Sequence, residues 1–196
     1  MNTLQPVLQK LGIWFLHKAP NDHELLRLAE AHNGWFTADS VKTAFKSIGE
    51  SLGEDQVSKW LLNYDLPDAV EGDSGKRVGL ILAGNLPLVG FHDILCSVVA
   101  GHNVAIKASS VDMVLPKRVV QEIENIEPKL KGRITFVEGK LGKVDAVIAT
   151  GSSNTMRYFD AYFGHLPHLF RAQRTGVAVL DGLETEDELK ALGDDM

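Results

Sequence analysis

Cysteine is nearly absent from this sequence, since Cys96 is the only one among 196 residues. A single cysteine excludes a disulfide framework within the chain, and it excludes a zinc site built from several cysteines. Sparse cysteine is typical of proteins in a reducing compartment, so we expect a cytoplasmic protein.

Long apolar runs and a surplus of basic residues are also missing. No apolar stretch approaches the roughly 20 residues of a membrane-spanning helix, and the first residues lack the basic start and apolar core of a signal peptide. Lys and Arg total 20 against 26 Asp and Glu, which gives a net charge of −6. Residues 181–196 hold seven acidic residues and one basic residue, so residues 1–180 are neutral overall. We therefore expect no membrane span and no nucleic-acid partner.

Residues 1–64 carry the apolar spacing of amphipathic helices. Asn21 and Glu24 have the spacing of a capping box, which predicts a helix start there, and Thr37 suits the N-cap of the next helix. Apolar residues then recur at three- and four-residue intervals. They are Val41, Ala44, Phe45 and Ile48, followed by Val57, Trp60, Leu61 and Tyr64. We expect these faces to pack into a core rather than to bind a ligand.

Residues 66–76 are rich in Pro, Gly, Asp and Ser, which predicts a loop. We interpret this loop as a linker between a helical N-terminal region, 1–65, and an α/β domain, 77–196.

After the loop, short apolar runs alternate with helical patterns. The runs, most of them rich in Val and Ile, are 78–83, 104–106, 134–137, 144–149 and 177–180. The helical patterns are 88–100, 111–126 and 154–163. This alternation predicts an α/β fold, with a parallel Rossmann-like sheet and helices on both faces. Ligands of such sheets bind outside the carboxyl ends of the strands, so the residues after each run are the candidates for a site.

Two of these candidates follow the first two runs. Asn85 comes after the first run, where its amide can donate to a carbonyl oxygen or simply form a tight turn. Pro87 suits the first turn of the helix expected next. Lys107 ends the second run, where it can bind a phosphate or ribose or remain a solvated strand end.

A third candidate follows the fourth run. Thr150, Gly151 and Ser152 precede an expected helix start. The hydroxyl groups and free N–H groups there can bind an anion, and the alternative is an ordinary serine N-cap. The dinucleotide fingerprint G-x-G-x-x-G and a Walker loop are both absent, so a bound dinucleotide must use another mode.

The remaining polar residues favour structural roles. His92 and Cys96 are four residues apart on one expected helix face, but the stretch is apolar, and we expect a buried, inert thiol rather than a catalytic pair. His165 and His168 have no carboxylate or thiol nearby in sequence, so we expect no metal site.

Three segments closely resemble the acyl-CoA reductase family, which includes the fatty-acid reductase of bacterial luminescence and belongs to the aldehyde dehydrogenase superfamily. They are RVGLILAGNLPLVGFHDILCSVVAGHNVAIKASS (77–110), VDAVIATGSSNTMRYFDAYFGHLPHLFR (144–171) and RTGVAVLDGLETEDELKALGDDM (174–196). The helical region is similar more loosely, through GWFTADSVKTAF and VSKWLLNYDL. The resemblance implies a partial aldehyde dehydrogenase fold.

The resemblance also implies roles for the residues after the strands. Asn85 matches the asparagine whose amide helps to hold the thioester oxyanion, and Lys107 matches a lysine that contacts the adenosine ribose. Gly151 and Ser152 match the Gly-Ser that meets the pyrophosphate, and Gly84 matches a backbone position in the cofactor cleft. The cofactor-binding residues implied in this way are Gly84, Lys107, Ser109, Ser110, Thr150, Gly151 and Ser152.

Departures from the family pattern refine these expectations. Many NAD-preferring relatives have a glutamate where Ser110 stands, so we expect NADPH to be preferred over NADH. The family's nucleophilic cysteine lies in a Gly-Cys-Arg-Asn segment that this sequence lacks, and Cys96 does not match it. The helix predicted by the capping box of Thr185 and Glu188 ends the sequence. We therefore expect the N-terminal part of a longer protein that is inactive by itself.

The implied reaction converts a fatty acyl thioester, on CoA or on a protein, to an aldehyde through an acyl-cysteine. The resemblance further implies a homo-oligomer for the whole protein and allows an acyl-transfer partner. Two alternatives stay open: a non-catalytic nucleotide-binding module or accessory subunit, and a reductase of a smaller activated acyl group, as in the glutamyl phosphate reductases.

Overall fold

The computed structural model describes residues 3–67, 70, 75–172 and 177–194. Four helices precede the sheet: α1 (Gln5–His17), α2 (His23–His32), α3 (Ala38–Ser51) and α4 (Glu54–Leu61). The α/β part contains β1 (Arg77–Ile81), α5 (Phe91–Val99), β2 (Asn103–Lys107), α6 (Val114–Ile126), β3 (Ile134–Phe136), β4 (Ala146–Thr150), α7 (Ser153–Phe163), β5 (His168–Arg171) and α8 (Glu186–Asp194). Short 3-10 helices lie at Ala19–Asn21 and Pro128–Leu130.

The N-terminal helices form where the sequence predicts them, with one change at a cap. Thr37 caps α3 and accepts from Ser40 N at 3.2 Å. The cap of α2, however, is Asp22, whose side chain accepts from Leu25 N at 3.0 Å, so the capping box predicted from Asn21 is wrong. Asn21 belongs instead to the preceding 3-10 turn and donates to His17 O.

The apolar faces of the N-terminal helices are buried as expected, except at one end. Val41, Phe45 and Val57 are buried completely or nearly so. Tyr64 lies beyond the end of α4 and is 58% exposed, so its predicted place in a buried face is wrong.

The sheet has five parallel strands in the order β3-β2-β1-β4-β5. Helices flank it, so the predicted α/β fold with a parallel sheet is confirmed. Four strands coincide with predicted runs, but residues 177–180 form no strand, and Val177 and Val179 are almost fully exposed. The fifth strand is β5, at His168–Arg171, a segment for which the sequence pattern predicts no strand.

One face of the sheet and the N-terminal helices share a single apolar core. Val78, Leu80 and Ile106 point into the same buried cluster as Phe15 and Phe45. The rings of Phe15 on α1 and Phe91 on α5 meet edge to face, with centroids 5.4 Å apart. The opposite face forms a smaller core, in which Ala105, Val147 and Ala149 pack near Phe159 of α7 and Leu141. Helical residues therefore cover both faces, as predicted.

The last helix stands apart from this core. Thr185 and Glu188 form the predicted capping box: Thr185 N donates to Glu188 Oε2 at 2.8 Å, and Glu188 N donates to Thr185 Oγ1 at 3.3 Å. Hydrogen bonds from Thr185 hold the pKa of Glu188 below its usual value. α8 has no buried residue. Among the described residues, no helix combines the length and apolar character needed to cross a membrane.

Candidate functional site

The strand order creates a topological switch point between β1 and β4. From β1 the chain builds the sheet outwards through β2 and β3, then crosses back to the other side of β1 to add β4 and β5. In doubly wound sheets, ligands bind in the crevice at such a point, outside the carboxyl ends of the strands. The candidate residues that follow β1, β2 and β4 all lie at this edge.

The register brings these residues close together. Ile81 lies opposite Lys107 on one side and opposite Ala149 on the other. Adjacent strands are about 4.8 Å apart, so the backbones of Lys107 and Thr150 flank β1 at a separation of about 10 Å. The side chain of Lys107 is exposed at the strand end.

Lys107 shares a face of the sheet with α7. Side chains alternate along a strand, so Lys107 projects on the same side as Ala105. Ala105 belongs to the core cluster that contains Phe159 of α7. A ligand that contacts Lys107 can therefore also reach the N-terminus of α7.

Gly151 and Ser152 form that N-terminus. Ser152 is the N-cap and accepts from Thr155 N at 3.4 Å, so the ordinary capping role is confirmed for its hydroxyl. A Cβ at Gly151 would lie 3.2 Å from side-chain atoms of Thr155 and Phe159, so glycine lets the first turn approach the end of β4 closely. The N–H groups of a first helical turn point outwards and attract anions.

Electrostatics favours α7 over α5 as a phosphate-binding helix. The first turn of α5 carries Asp93, which is buried and paired with Arg171 of β5. The first turn of α7 carries no acidic residue. Sequence reasoning missed the Asp93–Arg171 pair, and its one sign in the sequence is an aspartate within an otherwise apolar stretch.

Gly84, which follows β1, contacts residues of two other segments. A Cβ at Gly84 would lie 2.6 Å from both Cβ and Oγ of Ser109, so the two loops touch at this point. Asn33, the C-cap of α2, donates from Nδ2 to Gly84 O at 3.2 Å. Ser109 Oγ also accepts from Val111 N at 3.4 Å, whereas Ser110 is exposed.

Asn85 is exposed at the sheet edge, in a series of turns that separates β1 from α5. Pro87 lies within these turns and not in a first helical turn, because α5 begins only at Phe91; that prediction is wrong. Leu88 explains the delay, since its φ of 57° is incompatible with a continuing right-handed helix.

Asp112 supports this series of turns and was missed by sequence reasoning. It is 4% exposed, and its Oδ2 accepts from Leu88 N at 3.2 Å. Its other oxygen, Oδ1, is buried without a hydrogen-bond partner. Burial raises the pKa of Asp112 to about 6, while the hydrogen bond from Leu88 opposes this increase.

Cys96 lies away from this edge. It lines a groove of about 310 Å³ between α5 and residues of β4 and β5, among them Ile148 and Leu169. His92 Nε2 is 3.3 Å from its sulfur, so the two side chains do meet. Burial, and secondarily Asp93, raise the pKa of the Cys96 thiol, which keeps it protonated and poorly nucleophilic.

His168, at the start of β5, is held by contacts within the chain. His168 contacts Leu166 O at 2.7 Å through Nδ1 and stacks on Phe170. No group of three or more His, Cys, Asp or Glu side chains suited to a metal ion occurs among the described residues.

No protein-family model matches this chain, and no curated protein is significantly similar to it in sequence.

Proposed function

We propose that this chain is the nucleotide-binding part of an NADPH-dependent acyl-CoA reductase with a partial aldehyde dehydrogenase fold. The observation that carries the proposal is the meeting of Gly84, Lys107 and Gly151 at the switch point of a parallel sheet. The resemblance of segments 77–110 and 144–171 to that family supplies the chemistry.

The residues at this edge fit a phosphate-bearing cofactor. Lys107 offers an exposed cation, and α7 offers a helix start without an acidic residue. A Cβ at Gly84 would overlap Ser109, and one at Gly151 would crowd Thr155 and Phe159, so both positions favour glycine beside the proposed crevice. Ser110 is exposed and brings no carboxylate to repel a 2′-phosphate, which supports NADPH over NADH.

In the proposed reaction, Asn85 acts on the substrate. Its exposed amide donates to the thioester carbonyl oxygen as negative charge develops there, and such donors typically contribute about 3 kcal/mol to barrier lowering. Lys107 and the first turn of α7 orient the cofactor, which supplies a hydride when bound. The nucleophilic cysteine is not Cys96, and we propose that it belongs to a segment outside these 196 residues.

The direct test is a fluorescence titration of the chain with NADPH and with NADH. We expect NADPH to bind about tenfold more tightly, the difference that one charged hydrogen bond to the 2′-phosphate makes. Lys107→Ala should weaken NADPH binding, whereas Lys131→Ala, at an exposed lysine before β3, should not. Equal affinities would refute the cofactor preference, and absence of binding would refute the nucleotide site.

A non-catalytic nucleotide-binding module is the second candidate, and the protonated thiol of Cys96 favours it for this chain alone. Both candidates predict that the chain binds NADPH without oxidising it when acyl-CoA is added. Acyl-CoA-dependent NADPH oxidation above that of a Cys96→Ala variant would contradict both. A homo-oligomeric whole protein and an acyl-transfer partner belong to the reductase proposal only.

A further inference from the structure

The loops after β1 and β2 are joined by two contacts on successive turns. Ser109 packs on Gly84, and Asp112, three residues later, accepts the N–H of Leu88. Asp112 N in turn donates to Ser109 O at 3.2 Å, which closes a turn around the pair. Asn85 therefore lies in the segment 84–88, which is held at Gly84 by Ser109 and at Leu88 by Asp112.

Each half of the Asp112–Leu88 contact is unfavourable by itself. A buried carboxylate with an unpartnered oxygen lowers the stability of a folded protein. A leucine with positive φ is uncommon, because its side chain crowds the backbone there. The hydrogen bond from Leu88 N to Asp112 links the buried carboxylate to the strained leucine, directly beside the proposed site. An apolar residue at position 112 would avoid the cost of burying the carboxylate.

We propose that Asp112 is a positioning residue, which holds the 84–88 segment in the conformation that presents Asn85 and the Gly84 backbone at the switch point. The inference rests on the proposed function only in taking those two residues as ligand contacts. Asp112 does not contact the ligand itself, because its carboxylate is buried and binds the backbone N–H of Leu88.

Hydrogen exchange tests the contact without any ligand. Asp112→Ala removes the acceptor, so exchange at Leu88 N–H should become about tenfold faster, while Asp112→Asn keeps an acceptor and should retain most of the protection. Asp112→Leu, which fills the space without an acceptor, gives the same test if the alanine variant does not fold.

A matched control lies at the opposite edge of the sheet. Asp145 Oδ2 accepts from Arg77 N at 2.7 Å, so Asp145→Ala also removes a carboxylate that binds a backbone N–H beside β1. Exchange at Leu88 should be the same in this variant as in the unaltered chain. Unchanged exchange at Leu88 in both Asp112→Ala and Asp112→Leu would overturn the proposal.

Titration with NADPH tests the consequence for the site. We expect Asp112→Ala to weaken binding about five- to tenfold, with Asp112→Asn within about twofold of the unaltered chain. Faster exchange at Leu88 with unchanged NADPH affinity would overturn the positioning role. If the unaltered chain binds no NADPH, the proposed function fails, and the exchange rates still decide whether Asp112 orders the segment.

Discussion

Arg171, the last residue of β5, forms an ion pair with Asp93 in the first turn of α5. The Asp93 side chain is only 6% exposed, and that of Arg171 is 26% exposed. The pair links the edge strand to the helix that follows β1, and it gives a charged partner to a carboxylate that would otherwise be buried without one.

Arg171→Ala should therefore destabilise the fold. Removing one partner leaves the Asp93 charge buried and unpaired, which costs about 2–4 kcal/mol in the free energy of unfolding. Lys46→Ala is the control, because Lys46 and Glu50 form a pair that is mostly exposed, worth less than about 0.5 kcal/mol. Urea unfolding of both variants measures the difference, and losses of similar size would contradict the prediction.

Gly84→Ala should destabilise the contact between the two loops, by about 1–3 kcal/mol, because the new methyl group overlaps Ser109. Ser109→Gly should restore most of this loss when it is combined with Gly84→Ala. Gly34→Ala is a suitable control, since nothing lies within 4 Å of a Cβ there. Thermal unfolding of the four proteins checks the prediction, and a double variant no more stable than Gly84→Ala would show that the overlap lies elsewhere.

Asp112 should make stability depend on pH. Its pKa is raised from the usual 3.8 to about 6 in the folded chain, so folding favours the protonated acid. Its contribution to the free energy of unfolding is therefore fully present below about pH 4 and is lost as the pH rises through about 6. The loss is on the order of 2–3 kcal/mol, because a tenfold change in an acid dissociation constant corresponds to about 1.4 kcal/mol.

The side chain in Asp112→Asn stays neutral at every pH, so the free energy of unfolding of this variant should not decrease between about pH 4 and about pH 8 because of ionisation at position 112. Urea unfolding at about pH 5 and about pH 8 measures the difference between the two proteins. We expect the asparagine variant to gain stability relative to the unaltered chain as the pH rises. Parallel pH profiles would mean that Asp112 has no raised pKa.

Cys96 should react slowly with iodoacetamide at neutral pH, because burial and Asp93 raise the pKa of its thiol and little thiolate is present. The rate should increase when the chain is unfolded in urea. Asp93→Asn removes one of the causes and should lower the thiol pKa, so its rate profile should shift to lower pH. Rapid alkylation of the folded chain would show instead that His92 activates the sulfur.

Sequence patterns were sufficient for the buried strands and failed at the edge of the sheet. β1, β2 and β4 lie between neighbours, so both of their faces select apolar residues and the runs are continuous. β5 has a partner on one side only, and His168 and Leu169 are exposed, which gave no apolar run to read. Residues 177–180 have the composition of a strand, but a strand also needs a neighbour to pair with, and composition does not reveal whether one is present.

The sequence predicts where the candidate site lies, but it does not predict which residues hold the site in place. Gly84, Lys107 and Gly151 could be placed because parallel strands bring their carboxyl ends to one edge. The roles of Asp93 and Asp112 depend on partners 78 and 24 residues away in sequence, Arg171 and Leu88. Likewise, both Asn21 and Asp22 suit an N-cap, and only the 3-10 turn at Ala19–Asn21 decides between them.

The core shared by the N-terminal helices and the sheet has a consequence for synthesis on the ribosome. Phe15 and Phe45 are translated well before Phe91 and Ile106, yet all four residues are buried in one cluster. Domains fold as units once their residues have emerged, so the first helices must wait, with their apolar faces open, until β2 leaves the exit tunnel. During that interval the exposed apolar faces of the nascent chain are the kind of surface that chaperones bind.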